Sequence, residues 1–361
     1  MPRRATIAKR TDFLPNSAIA ELLAVAAESA KMPLQKALRR ASRKAFMWPE
    51  EAACLLQQDR SLTELAAVGP HLERIIRGWI RDPPALSKPP AIRSRFLTLL
   101  EARSTLAKSP SWAADVKGDL QMHTRWSDGG GSIEDMARAA VERRYEFIAI
   151  TDHSKGLKIA GGIDEEQLER QAHEIQVVND TMRTEGHKIE LLRSLELNLD
   201  IVGRGDMESQ ALARLDVVLG CFHSALRKKE DQTARYLAGL RNPDIQILGH
   251  PRGRIYNFRA GLSADWESVF GLAAALDKAV EIDGYPDRQD LSIDLLKIAR
   301  KAGCRISLGT DAHDPLQLRF MEYSLAAALQ AGIRRERILN FMTVAELRSW
   351  AATVRDRSPK R

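Results

Sequence analysis

The sequence predicts an α/β protein whose parallel strands form a barrel, preceded by a small all-α region. From Val116 onward, short apolar runs alternate with amphipathic helical stretches, which is typical of parallel strands joined by helices. Between about residues 15 and 81, apolar residues recur instead at helical spacing. No P-loop or dinucleotide fingerprint opens the strand region, because Gly129-Gly130-Gly131 is not followed by the required lysine.

Proline-containing segments divide the chain. Asp82-Pro83-Pro84 and Lys88-Pro89-Pro90 interrupt the helical pattern, because proline lacks an amide donor and restricts the preceding residue. We therefore predict a helical domain at 1–82, a linker at 83–114, an α/β domain at 115–355 and a basic tail at 356–361. The linker is predicted to contain one short helix, at about 92–107.

Composition narrows the class of protein. A chain of 361 residues with 44% apolar residues can bury a full core, and it contains no signal-peptide core or long apolar span. The three cysteines, Cys54, Cys221 and Cys304, are far apart, so they predict buried thiols rather than disulfides or a thiolate zinc site. We expect a cytoplasmic protein without a membrane partner, and the sequence gives no signal for an oligomeric state.

The positive charge is concentrated at the N-terminus. Residues 1–110 contain 19 Lys and Arg against 10 Asp and Glu, a balance of +9, whereas the remaining 36 against 38 give −2. Such asymmetry is typical of a surface that binds a polyanion, nucleic acid above all. A solvated basic helix is the equally weighted alternative.

A turn at Gly69, followed by an amphipathic helical stretch, resembles a helix-hairpin-helix. Such hairpins bind the DNA backbone without reading its sequence, because turn amides and a helix N-terminus point at a phosphate. These hairpins usually contain two glycines, and a plain helix turn is the competing interpretation. The predicted DNA-binding residues are Arg39, Arg40, Arg43, Lys44 and Gly69.

Polar residues cluster at the carboxyl ends of the predicted strands. The clearest strands are 147–151, 189–192, 217–220, 245–248, 279–282 and 305–308. In an α/β barrel these ends meet on one side, where active sites are built. The side chains expected there are His123, Asp128, His153, Glu196, His223, His250, Asp311 and His313.

Imidazole and carboxylate groups without thiolates suit zinc, manganese or iron, and so many of them can hold more than one ion. Neighbouring ions generate hydroxide at neutral pH and stabilise oxygens at phosphorus. Asp119 and Asp152 are predicted to orient neighbouring histidines rather than to bind metal. The other three histidines, His71, His173 and His187, are predicted to lie on the surface.

Two arginines next to a predicted ligand suggest a phosphate clamp. Arg252 and Arg254 lie within four residues of His250, and a guanidinium fork suits a substrate phosphate. Pairing with a structural carboxylate is the alternative for each. Arg227-Lys228-Lys229, just beyond His223, forms either a solvated loop, which we favour, or the wall of a groove for a longer polyanion.

Several ordered motifs together resemble the PHP domain, named for polymerase and histidinol phosphatase. They are GDLQMHT at 118–124, SDG at 127–129, ITDHS at 150–154, HPRGR at 250–254, EID at 281–283, PDR at 286–288 and TDAH at 310–313. The resemblance covers about residues 115–355 and is strongest to the C-terminal PHP domain of bacterial family X DNA polymerases. The helical N-terminal block resembles, less specifically, the small helix-hairpin-helix domain of those polymerases.

The resemblance implies a distorted (β/α)7 barrel that holds up to three divalent metal ions. The implied first site uses Gln121, His123, Glu196 and Asp311, and the implied second site uses Glu196, His223 and His250. The implied third site uses Asp128, His153 and His313. The family pattern commonly has histidine at position 121, and an amide oxygen is a poorer zinc ligand, so this first site is expected to be weaker or to prefer manganese.

The resemblance implies a phosphoesterase that hydrolyses phosphodiester bonds of DNA, as a 3′-5′ exonuclease or 3′-end-processing enzyme of DNA repair. Only about 33 residues separate Arg81 from Asp115, which leaves no room for a polymerase palm. Two alternatives stay open. One is a phosphatase for a small phosphate ester, of the histidinol-phosphatase or nucleotide-phosphatase type, and the other is a non-catalytic DNA-binding adaptor.

Overall fold

A computed structural model describes residues 13–357 of the chain. The chain forms two compact units, Met1–Glu101 and Ala102–Arg361, which we call the N-terminal and C-terminal units. The first twelve residues of the predicted helical domain, and residues 358–361 of the predicted basic tail, lie outside the described residues.

The N-terminal unit is built from helices. Its helices are α1 (Asn16–Ser29), α2 (Leu34–Ala45), α3 (Ala52–Gln57) and α4 (Pro70–Arg81), with a 3-10 turn at Leu62–Glu64. Their apolar faces form one core around Leu23, Leu38 and Trp48. The indole nitrogen of Trp48 donates a hydrogen bond to the carbonyl of Ala66 at 3.0 Å, which satisfies its polar atom within the core.

The helix predicted at 92–107 begins later than expected. Helix α5 runs from Leu99 to Leu106 and is followed by α6 (Ser111–Asp115). Arg95 has a positive φ of 66°, which a right-handed helix does not allow. Thr98 caps α5 instead, since its hydroxyl accepts from the amide of Glu101 and the Glu101 carboxylate accepts from the amide of Thr98.

The C-terminal unit is an α/β barrel of seven parallel strands arranged in chain order, which confirms the predicted fold class. The strands are β1 (Gly118–Asp119), β2 (Phe147–Ile150), β3 (Glu190–Asn198), β4 (Val217–Cys221), β5 (Ile247–Leu248), β6 (Ala279–Asp283) and β7 (Arg305–Gly309). The helices after α6 are α7 (Ile133–Glu142), α8 (Glu165–Thr184), α9 (Ser209–Leu212), α10 (Thr233–Arg241), α11 (Trp266–Ala275), α12 (Ile293–Ala302), α13 (Met321–Ala331) and α14 (Val344–Arg357).

The first and last strands approach each other and nearly close the barrel. The amide of Leu120 donates to the carbonyl of Leu308 at 3.3 Å, and the amide of His123 donates to the carbonyl of Ala312 at 2.7 Å. The buried amide of Asn340 donates to the carbonyls of Gly118 and Leu308. This side chain therefore fills the gap where the ladder between β1 and β7 is incomplete.

Strand β3 is longer than its apolar run predicts. Its first half pairs with β2 and its second half, from Ser194, pairs with β4. Both halves are stabilised by neighbouring strands, so the strand continues through polar residues. Glu196, which we predicted to follow the strand, therefore lies within it, on a backbone held from both sides.

Helix α14 fills one end of the barrel with apolar side chains. Its residues Leu347, Trp350 and Val354 join the same buried cluster as Phe147 and Val217, which lie at the start of their strands. This packing gives the amino end of the barrel an apolar core. The predicted metal-binding side chains lie at the opposite, carboxyl end of the barrel. Among residues 13–357, no helix is both long enough and apolar enough to cross a membrane.

One buried lysine makes the stability of the barrel depend on pH. Lys278, just before β6, is 1% exposed and donates to the carbonyl of Asn242, and burial lowers its pKa to about 7. An unfolded lysine keeps its proton to about pH 10.4, so the unfolded chain binds more protons between these values and wild-type stability should rise with pH there.

Replacing this lysine should remove that dependence. We expect Lys278→Met to raise the free energy of unfolding by about 1–4 kcal/mol at pH 7, and by less at pH 10. Denaturant unfolding at both pH values measures this, with Lys301→Met on the exposed end of α12 as the control. An equal gain at both pH values would show that Lys278 is charged in the folded protein.

Candidate metal centre

The carboxyl end of the barrel gathers the predicted ligands from six strands. His123 follows β1, His153 follows β2, Glu196 lies in β3, and His223 and His250 follow β4 and β5. Asp311 and His313 follow β7. Together with Asp128 and Cys221, these side chains form four overlapping groups whose donor atoms lie within 4.8 Å of one another, and Glu196 belongs to three of the groups.

The carboxylate of Glu196 lies between two sets of imidazoles. Its Oε1 atom is 2.8 Å from Nε2 of His223 and 2.8 Å from Nε2 of His250. Its Oε2 atom is 3.2 Å from Nε2 of His123 and 3.7 Å from Nδ1 of His153. One carboxylate therefore has different histidines on each of its two oxygens, an arrangement that can bridge two ions.

A third set of donors lies around Asp128. Its Oδ1 atom is 3.6 Å from Nε2 of His153 and 3.4 Å from Nε2 of His313. The ring of His123 lies 4.3 Å from that of His153 and 4.4 Å from that of His313, centre to centre. These contacts join the Asp128 set to the Glu196 set, so the donors form one continuous cluster.

Two hydrogen bonds orient histidines for metal binding. Nδ1 of His223 lies 3.1 Å from Oδ1 of Asn198, and Nδ1 of His313 lies 2.7 Å from the carbonyl oxygen of Asp311. Carbonyl and amide oxygens only accept, so each Nδ1 must carry the proton. The lone pair of each Nε2 is therefore free for a metal ion. Asn198 is a site residue that the sequence analysis missed.

Several buried polar atoms at the centre have no protein partner. Among the described residues these include Oε1 of Gln121, Nδ1 of His123 and Nδ1 of His153. An unpaired buried polar atom is costly and calls for a ligand or a water. Two donors bound tetrahedrally to one zinc ion lie about 3.4 Å apart, comparable with the separations observed here. The residues present therefore fit divalent metal ions.

The charges at the centre favour metal-binding protonation states for its carboxylates. Burial alone would raise the pKa of Glu196, but the charge of His250 and hydrogen bonds from His123 and His223 hold it well below its usual range. Burial would also raise the pKa of Asp311, but the guanidinium of Arg288 together with His123 and His313 keeps this pKa low. Burial likewise lowers the pKa of His153, to about 3, which leaves this imidazole neutral.

Arg288 is the arginine that contacts a predicted ligand. Its Nη1 atom contacts Oδ2 of Asp311 and lies 4.0 Å from Oδ2 of Asp283. Asp311 also has a positive φ of 51°, which is unfavourable outside glycine and is typical of residues held in place at a functional site. The PDR motif at 286–288 contains this arginine, but its spacing alone did not predict the contact.

Arg252 and Arg254, predicted to bind phosphate, brace the loop after β5. The Nε and Nη2 atoms of Arg252 donate to the carbonyls of Leu262 and Ala260 at 3.0 and 2.8 Å. Nε of Arg254, which is 3% exposed, donates to the carbonyl of Arg288 at 2.8 Å. Binding of a substrate phosphate and pairing with a structural carboxylate both stay predictions for these two arginines.

Asp119 and Asp152 do not orient histidine rings, contrary to our prediction. Asp119 accepts hydrogen bonds from the hydroxyl of Thr310 and from backbone amides, and Asp152 accepts from Thr124, Ser127 and Gln171. Both carboxylates lie where strands end and amides lose their ladder partners. They therefore hold the backbone of the loops that contain the histidines.

A buried thiol also lies within the centre. Cys221 ends β4 and has its sulfur near Glu196 and His250. Burial, together with nearby carboxylates, raises the pKa of this thiol well above its ordinary value, which opposes a thiolate ligand. Of the three cysteines, Cys221 and Cys304 are buried, and Cys54 is only partly buried.

The histidines predicted to lie outside the centre are separate from it. His71 and His173 are exposed, and His187 is partly buried beside Glu185. The nine predicted metal-binding side chains, including Gln121, are brought together. Gln121 donates through Nε2 to Oε2 of Glu196 at 2.9 Å.

The predicted DNA-binding residues of the N-terminal unit lie on α2 and at the start of α4. Arg39, Arg40 and Arg43 are exposed, Lys44 is partly buried, and none of the four has a carboxylate partner among the described residues. Gly69 precedes α4 with a negative φ of −98°, so its backbone does not require glycine. The left-handed turn is instead at Ala67, whose φ is 65°.

Residues 119–310 match the family model of the PHP domain. The chain therefore belongs to the PHP domain family, as the sequence motifs predicted.

Curated relatives of two kinds are similar to this chain. One is a DNA polymerase/3′-5′ exonuclease of Bacillus subtilis, 33% identical over 236 residues, which are 65% of this chain but only 41% of that protein. Another is a probable phosphatase of a Thermoanaerobacter species, 28% identical over 240 residues that cover 61% of this chain and 89% of the relative. The matched part of this chain thus corresponds to less than half of the polymerase.

Among solved structures, the histidinol phosphate phosphatase of Lactococcus lactis, complexed with zinc, L-histidinol and phosphate, aligns with a TM-score of 0.44 at 16% identity. The alignment covers 61% of this chain and 95% of that one.

The amide at position 121 offers a direct test of the first predicted site. Gln121→His should strengthen metal binding there, because an imidazole replaces a weaker amide oxygen. We expect more bound metal after dialysis, or activity at a lower metal concentration, measured by elemental analysis and titration. Gln246→His, at a buried glutamine before β5, is the control. If Gln121→His binds no more metal and works at no lower metal concentration, Gln121 is either already an adequate ligand or does not face the site.

Proposed function

We propose that this protein is a metal-dependent phosphoesterase that hydrolyses phosphodiester bonds of DNA, as a 3′-5′ exonuclease or a 3′-end-processing enzyme. The observation that carries the proposal is the shared carboxylate of Glu196. Histidines lie against each of its oxygens, so the cluster can hold more than one ion a few ångströms apart. Up to three zinc, manganese or iron ions suit these donors.

Bound divalent ions would supply a hydroxide nucleophile at neutral pH and neutralise the oxygens of the phosphate. The chain itself holds the donors in place, with Asn198 and the carbonyl of Asp311 orienting two histidines. Arg288 fixes the carboxylate of Asp311 and adds positive charge beside it. Arg252 and Arg254, which brace the loop after β5, are proposed to bind the substrate phosphate.

DNA as the substrate is supported by the charge of the N-terminal region and by one relative. Arg39, Arg40 and Arg43 of α2 are exposed and have no carboxylate partner among the described residues, as a phosphate-binding surface requires. The curated Bacillus subtilis relative is described as a DNA polymerase/3′-5′ exonuclease. Ala67, with its left-handed turn before α4, also fits the helix-hairpin-helix interpretation, in which the turn amides face a phosphate.

A small-molecule phosphatase is the second candidate. It is favoured by relatives that are named probable phosphatases, three of which are matched over 89% or more of their own length. In this case the N-terminal unit would serve another purpose. The matched barrel alone would then account for the activity.

One comparison of substrates separates the candidates. Purified protein with manganese or zinc is incubated with 5′-labelled duplex DNA, 5′-labelled single-stranded DNA and p-nitrophenyl phosphate. Stepwise shortening of the labelled strands is the expected result. Hydrolysis of the small ester alone would favour the phosphatase. DNA binding without hydrolysis of any substrate would favour the non-catalytic adaptor.

A further inference from the structure

Exposed apolar side chains are concentrated around the mouth of the barrel. Among the described residues of the C-terminal unit, five of the six large apolar side chains that are exposed lie in loops after β2, β3, β5 and β7. These are Ile159, Ile201, Val202, Phe258 and Leu316. The carboxyl ends of the strands also hold the metal-binding cluster. Single exposed apolar residues are ordinary, but a set of them beside a site indicates a surface for a ligand.

Phe258 is held at the tip of a short, well-braced hairpin. Ile255 and Arg259 form an antiparallel bridge around it, and Asn257 turns the chain with a φ of 51°. Below the tip, the buried Tyr256 donates its amide to the carbonyl of Asp287 at 2.7 Å. Phe258 is nevertheless 54% exposed as a residue. A rigid backbone that presents an aromatic ring to solvent costs little entropy when a ligand binds.

The guanidinium of Arg227 lies over the ring of Phe258, 4.7 Å from its centre. This pair, which we call the stacking pair, joins two loops of the site. Arg227 follows His223 by four residues, and Phe258 follows His250 by eight. Gly253 has a φ of 57° and packs closely against Leu226. A Cβ atom at position 253 would lie only 3.1 Å from the Leu226 side chain. The two loops that follow these predicted metal ligands in the sequence are therefore in contact with each other.

Positive charge leads from the predicted metal centre toward the stacking pair. Arg288 contacts Asp311 within the centre. The pKa of Arg259 is lowered mainly by burial and further by repulsion from the guanidinium groups of Arg288 and Arg227, which lie nearby. Arg227 and the following Lys228 have no carboxylate within 4.0 Å among the described residues. A chain of phosphates extending from the centre would meet these charges.

We propose that Phe258 and Arg227 form a platform on which an unpaired nucleobase of the substrate stacks, so that frayed or single-stranded DNA ends are preferred over paired ends. The inference rests on the proposed function and names the substrate class of the same site. A base inside a duplex already has neighbours on both faces, whereas an unpaired base offers a free face to an aromatic ring or a guanidinium. Stacking is independent of sequence, which suits an enzyme that acts on any end.

The test compares DNA ends with and without a base. Full-length protein with manganese is given single-stranded, 5′-labelled oligonucleotides that end in either a normal nucleotide or an abasic residue. We expect Phe258→Ala to lower kcat/KM for the normal end about 5-fold to 150-fold, the range for loss of one stacked base. The abasic substrate should be cleaved by wild type and variant at similar rates.

Matched variants separate stacking from general apolar contact. Phe258→Trp keeps an aromatic face and should retain the preference for a base. Val177→Ala removes an exposed apolar side chain, 50% exposed on α8 and outside the mouth of the barrel, and should leave the ratio of the two substrates unchanged. Glycerol phosphate, which lacks any ring, should be hydrolysed equally by wild type and by Phe258→Ala.

The outcomes distinguish this inference from the proposed function. Suppose that wild type shortens DNA, but Phe258→Ala changes kcat/KM equally for the normal and the abasic substrate, or for neither. The platform is then refuted and the proposed function stands. If wild type hydrolyses only small esters, both the proposed DNA substrate and the proposed platform for a DNA base are refuted. In that case, the hydrolysis rates of a free deoxynucleoside monophosphate and of glycerol phosphate are compared in the same variants. A loss in Phe258→Ala for the nucleotide alone would show that the pair stacks on the base of a free nucleotide.

Discussion

Replacing Glu196 by glutamine is expected to lower the hydrolysis of every phosphate ester by about 1000-fold or more. Glu196 is fully buried and has histidines against both of its carboxylate oxygens. The amide keeps the shape of the side chain but loses the negative charge that the ions require. A loss of about 4 kcal/mol of transition-state stabilisation corresponds to this factor. Steady-state rates and bound metal, measured on the same samples, give the result.

The control for this substitution is the same chemical change at an exposed position. Glu267→Gln, in the first turn of α11, should leave both turnover and metal content unchanged. Circular dichroism and thermal unfolding check that Glu196→Gln is folded. A folded Glu196→Gln variant that keeps full turnover and full metal content would exclude Glu196 from the site.

Reversing the charge of α2 should weaken DNA binding and reduce its dependence on salt. The substitutions are Arg39→Glu, Arg40→Glu, Arg43→Glu and Lys44→Glu in the full-length protein. Each phosphate contact that is lost removes about 0.9 from the log–log slope of affinity against salt on duplex DNA. We therefore expect the slope to fall by about 1–4, with affinity falling most at low salt. Hydrolysis of glycerol phosphate should be unaffected, because the predicted ligands are in the C-terminal unit.

An equal change of net charge elsewhere provides the control. Arg143, Lys188, Lys297 and Lys301 are exposed in the C-terminal unit, and their replacement by glutamate should change the salt slope less. If both quadruple variants reduce the slope equally, α2 is not a specific DNA surface. In that case the small-molecule phosphatase becomes the better account.

The barrel and the grouping of the nine predicted ligands could be predicted because both follow from topology. Parallel strands place their carboxyl ends on one side, so a polar residue that repeatedly follows an apolar run is directed to one place. His250 and Asp311 are far apart in sequence but belong to one cluster for this reason. The capping pair Ser132 and Asp135 was also predictable, because a capping box is a local pattern.

The partners that hold the ligands could not be predicted, because they depend on the paths of loops and on pairing between strands. Asn198 reaches His223 only because β3 extends beyond its apolar run to pair with β4. Arg288 reaches Asp311 from the loop after β6, and no short-range pattern describes this approach. Asp119 and Asp152 bind backbone rather than histidine, since amides at the strand ends compete for their oxygens.

Anomalous diffraction from crystals of the full-length protein grown with manganese can show directly whether the histidine and carboxylate cluster binds more than one metal ion. Data collected at the manganese edge locate the ions without reference to activity. We expect at least two peaks within bonding distance of the cluster, one on each side of the Glu196 carboxylate, with histidines near both. Full manganese-dependent hydrolysis by protein whose crystals show no peak at Glu196 would contradict this expectation.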